Sequence, residues 1–417
     1  MVPAAMDAQT ATSSRAGGQV ESPYAWLRLA ASTALASVGC LGMWSYVVAL
    51  PAVQADFAIT RADASLPFTA VMIGFGVGGM LIGRLVDRFG IVFPLMGAAV
   101  MLGLGFVAAG HAANLWQLAL AHALLIGVGS SAAFGPLLAD ISHWFGRRRG
   151  VAVAICSCGN YLAGAIWPPI IGHFIETAGW RSTHIGIGLF CIATMLPLTL
   201  ALRRRAPATD GAAGSAAASA AQDTLNLTPG ALQALLAVAG IACCVAMAMP
   251  QVHIVAYCGD LGYGVARGAE MLSLMLGFGL ISRLACGFIA DRIGGIATLL
   301  ISSALQAVAL LLYFAFDSLT SLYVVSALFG LFQGGLVPLY AIIVREYFAP
   351  AEAATRLGTI LMATVAGMAL GGWMSGAIFD FTGSYQAAFA NGFLWNLLNI
   401  AIALWIILRR GRRLALA

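Results

Sequence analysis

Apolar residues in this chain do not alternate with polar ones. They come in long unbroken runs separated by short clusters of arginine, aspartate, glycine and proline. A helix crossing the hydrocarbon core of a bilayer needs about 20 such residues. Runs near that length fall at about 25–50, 64–86, 91–110, 115–140, 150–175, 184–202, 229–258, 267–289, 296–315, 319–344, 354–378 and 385–408. The pattern predicts an all-α polytopic membrane protein with twelve transmembrane helices. After the sixth run, RRRAPATDGAAGSAAASAAQDTLNLTPG (203–230) is polar and rich in small residues, the composition of a flexible linker. The expected organisation is a tail at 1–24, a six-helix bundle at 25–202, a linker at 203–228, a second six-helix bundle at 229–408 and a tail at 409–417.

Composition sharpens this. Of 417 residues, 61% are hydrophobic and 9% charged, against about 25% charged in soluble domains. There is too little polar surface to cover a water-exposed globule. All 21 basic residues are arginine, and their placement orients the chain. With both termini cytoplasmic, only Arg61, Arg181 and Arg267 fall outside and Arg283 falls within a span; the other 17 lie inside, as the positive-inside rule requires. Residues 1–24 lack an apolar core behind a basic segment, so they read as a disordered cytoplasmic tail rather than a cleaved signal. The eight cysteines sit in apolar stretches without zinc-site spacing and read as small packing residues. No metal, cofactor or nucleic-acid partner is expected, the arginines being spread over short loops rather than gathered on one face.

The two bundles repeat one unit. Gly83, Asp87, Arg88 and Gly90 in GRLVDRFG recur as Gly287, Asp291, Arg292 and Gly294, each 204 residues on. Gly172-HFI-Glu176-TA-Gly179 recurs at the same offset as Gly376-AIF-Asp380-FT-Gly383. Two parallel six-helix halves are a transporter architecture with the substrate site between the halves. An aspartate at the end of a cytoplasmic helix can accept from the open N–H groups of a facing helix N-terminus. Asp87, Arg88, Asp291 and Arg292 are therefore the candidate gating residues, holding the halves together in one state and releasing them in the other.

The paired G-x-x-x-D-R-x-G loops, the twelve spans and the central linker resemble the major facilitator superfamily over essentially the whole chain. A narrower resemblance lies in WFGRRRGVAVAICSCGNYLAGAIWPP (144–169) and in PAVQADFAITRADAS (51–65), which look like the monocarboxylate transporter and oxalate–formate antiporter families. Those families place a carboxylate-binding arginine in the eighth helix, and Arg283 stands at that position. The chain departs from both patterns. The mammalian-type aspartate one turn before the arginine is replaced by Gly279. The oxalate-type lysine of the eleventh helix has no counterpart, since 354–378 holds no basic residue beyond Arg356. One positive charge suits a monoanion.

Arg283 draws attention without any family. It stands about 7 Å to the cytoplasmic side of its span's middle, at 1.5 Å per residue. A charge at such depth costs at least about 2.5–3.5 kcal/mol on insertion scales, so it should face a polar cavity. Gly279, Cys286 and Gly287 share its face of the helix. A planar guanidinium can take a carboxylate bidentately, and no carboxylate sits at mid-depth in any span. A structural ion pair is the competing reading.

Further substrate-binding candidates are Tyr46, Asn160, Tyr161, Gln333 and Tyr340, polar or aromatic residues in spans that line such cavities in the superfamily. Candidates for carrying a proton are His253, His122 and Asp140, the histidines because they titrate near neutrality. Trp26, Trp144, Trp180 and Trp405 lie near helix ends and read as interfacial anchors. The expectation is a secondary active transporter of a small organic anion, a monocarboxylate, by proton-coupled alternating access. It would act as a monomer in a bacterial inner (plasma) membrane. An exporter of drugs or other amphiphiles is the alternative, although Gly159-NYLA-Gly164-AIW-Pro168-Pro169 matches the exporter pattern of the fifth helix poorly. A membrane enzyme or a sensor is more remote: no acidic pair at helical spacing or HExxH run lies in a span.

Overall fold

A computed structural model describes residues 20–204 and 227–414. Most of the two expected tails and of the linker lies outside the described residues. Eleven helices are long and apolar enough to cross a membrane, and one of them is two spans. Helices α1 (Pro23–Phe57), α2 (Arg61–Phe89), α3 (Val92–Gly110) and α4 (Leu115–Trp144) are followed by a continuous stretch, Arg149–Leu200. That stretch bends at Gly179 (φ 80°, ψ 158°) into α5 (149–178) and α6 (180–200). The second half holds α7 (Pro229–Asp260), α8 (Val265–Ile293), α9 (Gly295–Ala315), α10 (Leu319–Tyr347), α11 (Pro350–Thr382) and α12 (Tyr385–Leu414). No strand occurs among the described residues.

Local chemistry sets several helix starts. Thr60, Asn114, Thr228 and Ser318 each accept from the backbone N–H three residues on, which satisfies one otherwise open donor. The repeat is also legible in the backbone. Gly90 and Gly294 carry φ of 76° and 88°, and Gly179 and Gly383 carry 80° and 69°. Both pairs stand at the 204-residue offset, where the chain turns through a region open to glycine. The fourth helix of each half is interrupted, α4 at 132–134 and α10 at 334–335. α4 also carries a π-helical turn, Ala121–Gly127.

The halves meet where α2 packs on α11 and α5 on α8, with α1 against α7. Small residues permit close approach, as is usual between helices in lipid. At the end remote from the chain termini the interface is polar and closed. Asp380 of α11 accepts from Arg61 N (2.8 Å) and Ala62 N (2.6 Å), capping the N-terminus of α2 in the other half. The Arg61 side chain crosses to Asp260 of α7, with both nitrogen–oxygen distances 3.1 Å. Toward the terminal end the halves part. Gly76 still faces Met362, but a Cβ placed on Gly79 or Gly83 would meet nothing within 4 Å. Asp87, Arg88, Asp291 and Arg292 are exposed and make no ion pair or hydrogen bond among the described residues. In this conformation the expected gate is unlatched. The interaction foreseen for Asp87, a carboxylate on the first N–H groups of a helix across the interface, is made instead by Asp380 at the opposite end.

Within the first half, Arg28 is 1% exposed and pairs bidentately with Asp140, both bonds 2.7 Å. Its remaining nitrogen reaches Leu202 O (2.9 Å) and Arg204 O (3.1 Å), and its guanidinium lies 4.6 Å from the Trp144 ring. One side chain thus ties the terminal ends of α1, α4 and α6. Trp144 and Trp180 are 0% and 5% exposed; Trp144 packs against the buried Arg28 and Trp180 against the partly exposed Arg181. Truncating one member of a buried pair strands the other charge, at about 3–5 kcal/mol. Arg28→Ala should therefore lower the unfolding temperature of the detergent-purified protein far more than the apolar double replacement Arg28→Met with Asp140→Leu. Equal shifts would contradict this account.

Candidate functional site

The site is built by α8, α5 and α10. Packing between α8 and α10 is glycine-close: a Cβ on Gly330 would lie 1.9 Å from Met275 O, and one on Gly334 would lie 2.5 Å from Gly279 Cα. Gly335 N donates to Ser282 Oγ at 3.0 Å. With positions 275, 282 and 286 turned to α10, Arg283 is directed toward α5 in the first half.

There its guanidinium stacks on Tyr161, the carbon 3.9 Å from the ring centroid, at a range where cation–π attraction is effective. Nη1 donates to Ser157 O at 3.0 Å. Nε is buried without a partner, and Nη2 has no protein acceptor among the described residues. Arg283 forms no ion pair there either. Tyr161 Oη lies 3.5 Å from Gln333 Oε1, while Gln333 Nε2 is buried and unpartnered. A half-buried cation with unused donors, an aromatic face and a carboxamide donor thus come together from α8, α5 and α10. Such a set can receive a carboxylate on the guanidinium fork and cover its organic part with a ring.

Gly279 belongs to the same arrangement. A Cβ there would sit 2.3 Å from Tyr161 Cε1. The space that a carboxylate side chain takes one turn before the arginine in the mammalian-type pattern is here filled by the Tyr161 ring.

The remaining candidates lie elsewhere. Asn160 accepts from Trp44 Nε1 through its side-chain oxygen (3.0 Å) and places Nδ2 against Met43 Sδ, which ties α5 to α1. Tyr46 is fully buried and donates to Ala64 O at 2.6 Å. Tyr340 is fully buried in the second half, its hydroxyl unpartnered near Gly240 and Thr364. His122 is sealed between Tyr46 and His184, with ring centroids 4.9 and 6.0 Å away. Asp140 is held by Arg28. His253, by contrast, joins the cross-half closure: Nε2 is 2.8 Å from Gly372 O and Nδ1 3.1 Å from Tyr385 Oη, which accepts from Arg61 Nη1 at 2.6 Å.

Sequence reading passed over Arg61, Asp260, Asp380 and Tyr385. The offset repeat containing Asp380 was the available signal. A separate groove of about 550 Å³ runs beside the site between α5, α8 and α10. Its charged lining residue Glu270 is already engaged by Arg267 and Tyr323, and Arg283 does not line it.

Twelve spans in two parallel halves around a polar site between them define a solute transporter of one superfamily. The Major Facilitator Superfamily family model matches residues 33–316 and 271–415, and the chain belongs to that superfamily. It is 29% identical over 335 residues to monocarboxylate transporter 13 of Bos taurus, covering 78% of this chain and 75% of that one. It is 25% identical over 398 residues to human monocarboxylate transporter 11, covering 91% and 82%. In fold it is similar to a bacterial homologue of the human lysosomal transporter Spinster, with a TM-score of 0.67 at 15% identity over 94% of this chain and 97% of that one.

Overpacking a filled contact costs about 1–3 kcal/mol. Gly279→Ala should therefore lower thermal stability, and it should cost much less when introduced into a Tyr161→Ala background. A Gly279→Ala protein as stable as the parent would show that the Tyr161 ring does not fill this space.

Proposed function

We propose that this membrane transporter carries a small organic monocarboxylate by alternating access, with Arg283 as the group that binds the carboxylate. The observation that carries the reading is the half-buried guanidinium, stacked on Tyr161, without a carboxylate partner among the described residues. A permanent ion pair was the competing role for a charge at this depth, and the nearest acceptor is a backbone carbonyl. The relatives named as monocarboxylate transporters support the substrate class.

In this reading the terminal end faces the cytoplasm of a bacterial cell, as the distribution of arginines favours, and the conformation is inward-facing. Tyr161 and Gln333 complete the pocket around Arg283. Coupling is to protons: arginine keeps its charge at any physiological pH, so the proton is carried elsewhere. Asp87, Arg88, Asp291 and Arg292 act at the inner gate when it closes.

Uptake by proteoliposomes of labelled formate, L-lactate, pyruvate and oxalate, with and without an imposed proton gradient, tests the proposal. A monocarboxylate should be taken up, faster when the outside is acidic, and oxalate should not. Arg283→Ala should reduce uptake about 10- to 100-fold, the value of a charge-assisted hydrogen bond. Arg283→Lys should recover part of it, because a point charge lacks the fork. Undiminished uptake by Arg283→Ala would remove Arg283 from the site. Extrusion of an amphiphilic dye with no carboxylate uptake would favour the exporter alternative.

A further inference from the structure

The closure between the halves at the outer end runs through one unbroken chain of hydrogen bonds, and its last member is a histidine. Arg61 at the start of α2 pairs with Asp260, whose side chain is 37% exposed at the end of α7. The same Nη1 donates to Tyr385 Oη of α12 at 2.6 Å, and the Arg61 guanidinium lies 4.7 Å from the Phe379 ring of α11. Tyr385 Oη is 3.1 Å from His253 Nδ1, and His253 Nε2 is 2.8 Å from Gly372 O.

The acceptors fix the protons. A backbone carbonyl only accepts, so His253 Nε2 carries the ring hydrogen and Nδ1 of the neutral ring is a lone pair. Arg61 only donates, so Tyr385 takes that bond on its oxygen and gives its own proton to Nδ1. The links from Arg61 Nη1 through Tyr385 to His253 are all made only while His253 is neutral. A proton from the outer solution has one place to bind on this ring, Nδ1. Once it is there, Nδ1–H and Arg61 Nη1–H both point at the single Tyr385 oxygen, the phenol hydrogen loses its acceptor, and two cations stand one hydroxyl apart. Buried groups make such a conflict costly. The charged and titratable groups around His253 are Arg61 from α2, Asp260 and Tyr257 from α7, Asp380 from α11 and Tyr385 from α12. Asp380 is the opposing charge, its oxygens held by Arg61 N and Ala62 N.

We propose that His253 Nδ1 is a proton-binding site and that its protonation releases the Arg61–Tyr385–Asp260 latch, opening the outer side of the transporter. This rests on the transport reading above and deepens it. A proton taken from outside breaks the closure that blocks entry of the anion from outside. The site is the chain's own, because Gly372, Tyr385 and Asp260 come from one half and Arg61 from the other.

Spin labels on Glu176→Cys (outer end of α5) and Gln386→Cys (outer start of α12) report the outer opening. Both positions are exposed, and seven of the eight native cysteines are buried, so Cys158→Ser completes the background. The full-length protein in nanodiscs, without substrate, is measured by electron–electron distance spectroscopy between about pH 8 and pH 5.5, which brackets the histidine range. Binding the proton better in the open state makes acid favour opening. The open-to-closed ratio should rise as pH falls, by up to about tenfold per pH unit for one linked proton. In His253→Gln, whose amide reproduces the neutral ring's donor and acceptor, the ratio should stay low and flat with pH. In Tyr385→Phe and Arg61→Gln it should be high at both ends. A wild-type pH response retained by His253→Gln, a wild type that does not open on acidification, or latch variants that stay closed would each overturn the proposal. Because no substrate is present, failure of carboxylate uptake bears on the transport reading alone and leaves this measurement standing.

Discussion

A cation buried within the protein has to be compensated, and the way each one is compensated organises this molecule. Arg28 is neutralised by Asp140 and by carbonyls, and in return it ties three helix ends together. Arg61 is neutralised by Asp260 and Tyr385, and in return it closes one end of the gap between the halves. Arg283 alone among these three has only a carbonyl and a ring face. The first two arrangements are complete as they stand. The third leaves a buried guanidinium nitrogen without a partner.

Glycine makes that incompleteness possible. Gly279, Gly330, Gly334 and Gly335 bring α8 and α10 close enough that the α8 side chains opposite turn toward the other half. Tyr161 then occupies the space beside Gly279 and presents its ring to the guanidinium. Rigid packing behind the charge and an open donor set in front of it are the conditions for selective binding of a small anion. The residue behind a binding group matters here as much as the group itself.

The two ends of the inter-half gap use the same physical device at different places. A carboxylate on the first N–H groups of a helix is strong because the donors are unpaired and the helix dipole adds to them. Asp380 makes that contact on α2, across the halves. Glu346 makes it on Gly295 at the start of α9, within one half, at 2.9 and 3.1 Å. Asp87 and Asp291 do not make it in this conformation. Sequence motifs locate carboxylates near helix ends well. They do not say which end is engaged, because that depends on which way the halves are tilted.

What the sequence determined by itself was everything that follows from length, period and repetition. The spans, the twofold repeat with its glycine turns and the isolated charge at 283 are all local or periodic, and each is written in consecutive residues. The tertiary structure decided which polar residues stand together. Tyr161 and Gln333 meet Arg283, while Tyr46, Asn160 and Tyr340 on equally plausible spans are turned to neighbours within a bundle. His253 and His122 look alike in sequence, yet one closes a network between halves and the other is sealed within one. Helical position sets a residue's depth, but its rotation about the axis is fixed by contacts between residues hundreds of positions apart. Arg61 and Tyr385 are 324 residues apart in the chain and 2.6 Å apart in space. No pattern in either neighbourhood encodes that meeting.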